Sequence, residues 1–228
     1  MATLLHIETS TSVCSCALSV DGEVMMNKEE FRPQSHAALV GVFVEEIMGF
    51  VRSKNMKLDA VVVSSGPGSY TGLRIGVSEA KGLVYGLGIP LIALPTHLIM
   101  ASMMKDRVGE DVLLCPMIDA RRMEVYAAIF DTSLHEIRKT AADIVDEDRY
   151  RTYLDSNPVI FFGNGAEKCQ SVIMHHNAQF IADMHPLASG MVDLGEEAFA
   201  KKQFVDSAYF EPFYLKEFVA TVAKNKLF

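Results

Sequence analysis

Two successive runs of three short extended segments, each followed by alternating helical and extended periods, constrain this chain more than any single residue does. Residues 3 to 9, 13 to 20 and 23 to 31 read as strands, and Asp21-Gly22 between the last two is a hairpin signal. A helix over 35 to 53, a strand over 59 to 65, a helix over 70 to 86, a strand over 90 to 94 and a helix opened by Thr96 follow. After the charged break at 105 to 110 the order restarts. Strands at 112 to 118, 123 to 131 and 134 to 140 precede a helix near 143 to 155 and a strand at 158 to 162. A helix over 165 to 175, a strand near 179 to 184 and a helix over 187 to 202 close the pattern. A repeated βββαβαβα order predicts an α/β protein of two lobes, 1 to 108 and 109 to 228, with the last residues free to return to the first lobe.

Composition excludes several classes of function. The net charge is −8 and no basic cluster of five or more residues occurs, so the chain has no electrostatic footprint for a phosphate backbone. Contact with RNA would need a partner to supply the positive surface. The N-terminus lacks a basic leader, and no apolar run approaches the ~18 residues that a membrane span needs, so a cytoplasmic chain is expected. Cys14, Cys16, Cys115 and Cys169 lie in apolar segments without CxxC spacing and read as reduced, buried thiols. The dispersed histidines form no HxxxH or HExxH, and no G-x-S-x-G elbow is present.

Candidate sites cluster at strand ends. The run Val61-Val62-Val63 feeds Gly66-Pro67-Gly68-Ser69, a strand–turn–helix arrangement of the kind that cradles phosphate on free N–H groups. The spacing Gly66, Gly68, Gly72 is neither the Rossmann nor the Walker pattern, so the turn reads as phosphate-binding or as purely structural. The first strand ends in Glu8, Thr9 and Ser10, an acid followed by hydroxyls. Asp119 with Arg121 opens the second lobe, and Gly163 and Gly165 form another strand-to-helix turn. Together these outline a candidate nucleotide cleft. The duplicated order resembles the actin and kinase superfamily, where an aspartate stands at the place of Glu8, so the longer acid weakens the phosphate role and the cleft is expected to be vestigial.

The helices carry a different signal. Gly72, Gly76, Gly82 and Gly86 fall in or near one helix, each costing about 1 kcal/mol relative to alanine. Gly72, Gly76 and Ala80 share one face and permit close approach, either by a partner or by this chain's own elements. On the helix over 35 to 53, Leu39, Val40, Phe43, Val44, Ile47 and their neighbours span a wider arc than one core contact uses. Ser35, His36, Leu39 and Phe43 on that helix are therefore candidates for a partner face. Gly72, Arg74, Gly76 and Glu79 are the candidates on the next, and a bulky residue at Gly76 is expected to block the partner without disturbing the fold.

The stretches LLHIETSTSVCSCALSVDG, SSGPGSYTGLRIGVSEAKGLVYGLGIPLIALPT, IDARRMEVYAAIF and PFYLKE resemble the TsaB (YeaZ) family, a glycoprotease-like group. That resemblance implies the actin-like ATPase fold shared with sugar kinases and ribonuclease H, with a nucleotide cleft between the lobes. It also implies an accessory role in making threonylcarbamoyladenosine beside the anticodon of tRNAs. The implied partners are TsaD, bound through the two first-lobe helices, and the ATPase TsaE; tRNA is met only through the complex, and the chain alone pairs with itself. The metal-binding histidines of TsaD fall on Thr96 and Met100 here, which implies no metal site and no catalysis. No cofactor of its own is implied, with ATP possible at the complex interface. A stand-alone ATPase or phosphotransferase of the same superfamily is the alternative.

Overall fold

The computed structural model describes residues 2–216. Glu217, the last residue of PFYLKE, and the remainder of the expected second lobe to 228 lie outside the described residues. Two five-stranded mixed sheets carry the fold. The first contains β1 (Thr3–Glu8), β2 (Cys14–Val20), β3 (Glu23–Glu30), β4 (Ala60–Gly66) and β5 (Leu91–Pro95), ordered β3-β2-β1-β4-β5. The second contains β6 (Leu113–Asp119), β7 (Glu124–Phe130), β8 (Glu136–Ile144), β9 (Val159–Phe162) and β10 (Ala178–Ile181), ordered β10-β9-β6-β7-β8. Read from opposite edges the two orders are identical. In each, the first strand pairs antiparallel with its hairpin neighbour and parallel with the strand after the first helix.

Helices α1 (His36–Ser53) and α2 (Tyr70–Leu87) cover one face of the first sheet. Val40, Val44, Ile47 and Val51 of α1, with Val77, Ala80 and Val84 of α2, pack on Leu5, Ile7, Leu18, Val61 and Val63. The Ser69 side chain caps α2 by accepting from Gly72 N at 3.2 Å, and Gly88 ends it in the left-handed conformation at φ 66°.

The lobes exchange their remaining helices. α3 (Thr96–Lys105) lays Met100, Ala101 and Met104 against Leu114, Ile118, Phe130 and Ile160 of the second sheet. α5 (Val192–Ala200), after α4 (Arg151–Leu154), returns to the first sheet, where Leu194 and Ala198 meet Leu4, Val62 and Ile92. A buried histidine marks each seam. His6 lies under Gly195 of α5 and bonds Ser19 Oγ at 2.9 Å. His97 of α3 bonds Thr140 Oγ1 and the Tyr126 carbonyl, both at 3.0 Å.

The second lobe departs from the expected helices. The helix expected near 143 to 155 is reduced to α4, because β8 runs on to Ile144 and Asp143 is held by Arg138, Arg149 and Tyr150. In place of a helix over 165 to 175 there is one 3-10 turn, Glu167–Cys169, built on i to i+3 bonds such as Cys169 N to Ala166 O. The expected helix over 187 to 202 divides into a 3-10 turn, Ala188–Met191, and α5.

Candidate functional site

A cleft of about 800 Å³ runs between the lobes. Ser10–Ser12 and Pro67–Gly72 form its first-lobe wall, Asp119–Arg121 and Asn164 its second-lobe wall, and Phe213–Lys216 border it as well.

The glycine-turn end of this cleft is closed by the chain itself. Ser69 N donates to the Ser10 carbonyl at 2.6 Å, and Thr9 Oγ1 donates to the Gly72 carbonyl at 2.8 Å. A Cβ at Gly68 would overlap the Ser10 carbonyl, one at Gly72 the Thr9 carbonyl, and one at Gly76 the Thr9 hydroxyl. The loop after β1 therefore sits on the glycine turn and takes up its Ser69 N–H. Glu8 is fully buried and does not line the cleft; its Oε1 accepts from Ser10 N at 2.5 Å. Burial pushes its carboxyl pKa up, against the hydrogen bonds from Ser10, Ser64 and Thr9. An acid turned inward and drawn toward its neutral form does not organise a nucleotide's metal. Glu8, Thr9 and the glycine turn do not fit a phosphate.

On the opposite wall Asp119 pairs with Lys168, accepts from Arg121 N at 3.0 Å and donates its own N–H to Asn164 Oδ1 at 3.0 Å. Arg121 lines the cleft from a left-handed backbone position at φ 70°. Gly163 and Gly165 are packing positions: a Cβ on Gly163 would strike the Met117 carbonyl, and Gly165 N donates to that same oxygen at 3.0 Å.

A second concavity lies outside, between α1 and α2. This groove of about 450 Å³ is lined by Gly41, Glu45, Met48, Glu79, Gly82 and Gly86 among others. Among the described residues, a Cβ at Gly41, Gly82 or Gly86 would meet nothing within 4 Å.

The candidate partner positions scatter between the two concavities. Glu79 lines the outer groove, Leu39 and Phe43 are half-buried on α1, and Arg74 is exposed with its guanidinium 4.5 Å from the centre of the Tyr70 ring. Ser35 caps α1 without a side-chain bond, and His36 is buried, bonded to the Val13 carbonyl at 3.1 Å, on the cleft side. Gly72 and Gly76 face Thr9, so the inner stripe is occupied by this chain's own strand end, which corrects their reading as a partner surface. Gly41, Gly82 and Gly86 carry the open groove instead; Ser78, Gly82 and Gly86, four residues apart, were the available signal.

His97 is unavailable as a ligand, with both ring nitrogens bonded inside the protein and burial lowering its pKa to about 4. Thr96 and Met100 are buried. Among the described residues no group of three or more His, Cys, Asp or Glu is placed to hold a metal, and no helix is long and apolar enough to cross a membrane. All four cysteines are free and buried.

Comparison with known proteins places this geometry. A family model described as TsaD, tRNA N6-adenosine threonylcarbamoyltransferase, matches residues 30–224. The Escherichia coli tRNA threonylcarbamoyladenosine biosynthesis protein TsaB is 30% identical over 95% of this chain and 96% of its own. YeaZ from Pseudomonas aeruginosa superposes with a TM-score of 0.77 at 25% identity, covering 94% of this chain and all of that one. At the level of fold alone, the activator of 2-hydroxyisocaproyl-CoA dehydratase from Clostridium difficile, solved with ADPNP, matches with a TM-score of 0.50 at 9% identity. Two actin-like lobes and similarity along nearly the whole chain lead to one conclusion: this chain belongs to the TsaB (YeaZ) family, within the wider group that the TsaD model describes.

Proposed function

We propose that this chain is a non-catalytic scaffold and activator in tRNA threonylcarbamoyladenosine biosynthesis, binding a TsaD partner through the outer groove of α1 and α2. The relatives named for that pathway support the role. One observation carries the mode of binding: the groove is floored by glycines whose missing side chains leave open space at the surface. Helices pack at axis separations of about 8–10 Å, and glycines let a partner helix approach to the near end of that range. The partner supplies the catalytic metal and the basic surface for tRNA, which a chain of net charge −8 does not. TsaE docks on the pair, and in isolation the same groove joins two copies of this chain. The chain carries no cofactor of its own, and ATP is left to the interface of the complex.

The test is a binding titration of this chain against the TsaD of the same organism, followed by light scattering on a size-exclusion column. A one-to-one complex is expected, weakened at least about a hundredfold by Gly82→Leu, a loss typical of truncating or blocking the centre of an interface. Undiminished affinity in a folded Gly82→Leu protein would reject the groove. The stand-alone ATPase reading requires magnesium-dependent ATP turnover by the chain alone, and the Ser10–Ser69 contact speaks against it.

A further inference from the structure

The segment Phe213–Lys216 borders the cleft and touches both of its walls. On the first lobe, Phe213 N donates to the Ser65 carbonyl at 2.7 Å. Its own carbonyl lies over Gly66, where a Cβ would come within 2.6 Å and where φ is 101°, so a glycine is required beneath it. Tyr214 packs on Tyr70 in the first turn of α2 with 4.8 Å between ring centres and the rings tilted by 41°, and Arg74, one turn further on, lies over the Tyr70 ring. On the second lobe, Lys216 pairs with Glu124 at the start of β7. That anchor is held in turn, because Lys168 bonds both the Glu124 carbonyl and the Asp119 carboxylate.

We propose that Phe213–Lys216 is a clasp between the lobes, which sets the width of the cleft and stiffens the first two turns of α2. Its contacts support this at both ends. The covalent crossover and the exchanged helices α3 and α5 join the lobes through their cores; the clasp joins them a second time along the cleft. Widening the cleft then requires either the Lys216–Glu124 pair or the Tyr214 cluster to break. Because Tyr70 and Arg74 belong to α2, which also forms the outer groove, lobe separation and groove shape are coupled through one helix. The proposal concerns the chain alone, so it stands or falls separately from partner binding.

Hydrogen–deuterium exchange on the full chain tests it, with Tyr214→Ala, Lys216→Glu, and the charge swap Lys216→Glu with Glu124→Lys. Amides of residues 70–77 are expected to exchange about tenfold faster in Tyr214→Ala, with α1 unchanged. Lys216→Glu is expected to give a smaller local rise, about threefold, that the charge swap reverses. Lys216 is half-exposed, so that variant folds whatever happens to Tyr214→Ala. Exchange over 70–77 equal to the parent in both single variants, a rise spread evenly over the whole chain, or a charge swap that restores nothing would each overturn the clasp.

Discussion

Gly72 and Gly76 lie on the same helix as Gly82 and Gly86 and cost about the same in helix propensity, yet their surroundings are opposite. The first pair is pressed against Thr9, with the Thr9 hydroxyl bonded to the Gly72 carbonyl. The second pair opens onto solvent in the α1–α2 groove. The inner pair is covered by the chain's own strand end, while the outer pair leaves room that nothing among the described residues fills. A glycine stripe therefore signals close approach without saying by whom.

The two lobes differ in the same spirit. At the end of β1 the first lobe presses backbone on backbone at Gly68 and Gly72, whereas the second lobe encloses a charge network, Asp143 with Arg138, Arg149 and Tyr150.

The sharpest way to break the inner–outer contrast is Gly76→Leu. A side chain there must displace Thr9, so it is expected to cost about 3 kcal/mol or more, read as a loss of the cooperative urea transition. A stable, folded Gly76→Leu chain would show the inner stripe to be as open as the outer one. Asp143→Ala tests the second lobe's lock. It strands Arg138 without its carboxylate and should cost about 3 kcal/mol by the same measurement; a loss below about 1 kcal/mol would make that network ornamental.

Acid probes the seams between the lobes. Burial lowers the pKa of His6 to about 3 and of His97 to about 4, from 6.5, so the folded chain keeps both neutral while the unfolded chain protonates them. Stability is complete above pH 6.5 and falls as pH drops below it, by up to about 1.4 kcal/mol per pH unit for each histidine. Glu8, whose raised pKa makes the chain gain stability as pH falls, acts in the opposite direction. The check therefore belongs in a Glu8→Gln chain, where a melting temperature flat from pH 7 to 5 would contradict the burial of both rings. Asp143 adds a later stage. Burial pushes its carboxyl pKa up, but the bonds from Arg138, Arg149 and Tyr150 outweigh it and hold the pKa below 3.8. Its contribution is present above 3.8 and fades as pH falls through the depressed value, a stage that Asp143→Ala should erase.

The smallest effect has the opposite sign. Gly82→Ala replaces an exposed helical glycine with nothing among the described residues to strike, and should raise stability by about 0.5–1 kcal/mol. Destabilisation in thermal melts would mean that the outer face is already packed.

Much of the fold was legible in the chain. Long β-branched runs such as Val61–Val63 and the Asp21-Gly22 turn, with φ of 51° and 81°, announce first-lobe elements locally. The second lobe's helices were over-read, because polar segments such as 165 to 175 carry too few turns for a helical period to outweigh i to i+3 bonding. At the candidate site, strand parity puts Glu8 on the same side of β1 as His6. Only the return of the chain from the second lobe, with α5 under His6, made that side an interior.

The order of the strands, their duplication and the net charge of −8 follow from the sequence alone, since periodicity and charge are local properties. The tertiary structure decided which glycine stripe was spent on Thr9 and which stayed open, and that the lobes would trade α3 and α5. It also laid Phe213–Lys216 across the cleft. Those outcomes depend on segments far apart in the chain meeting in space, and a face is interior or exterior only once something has come to cover it.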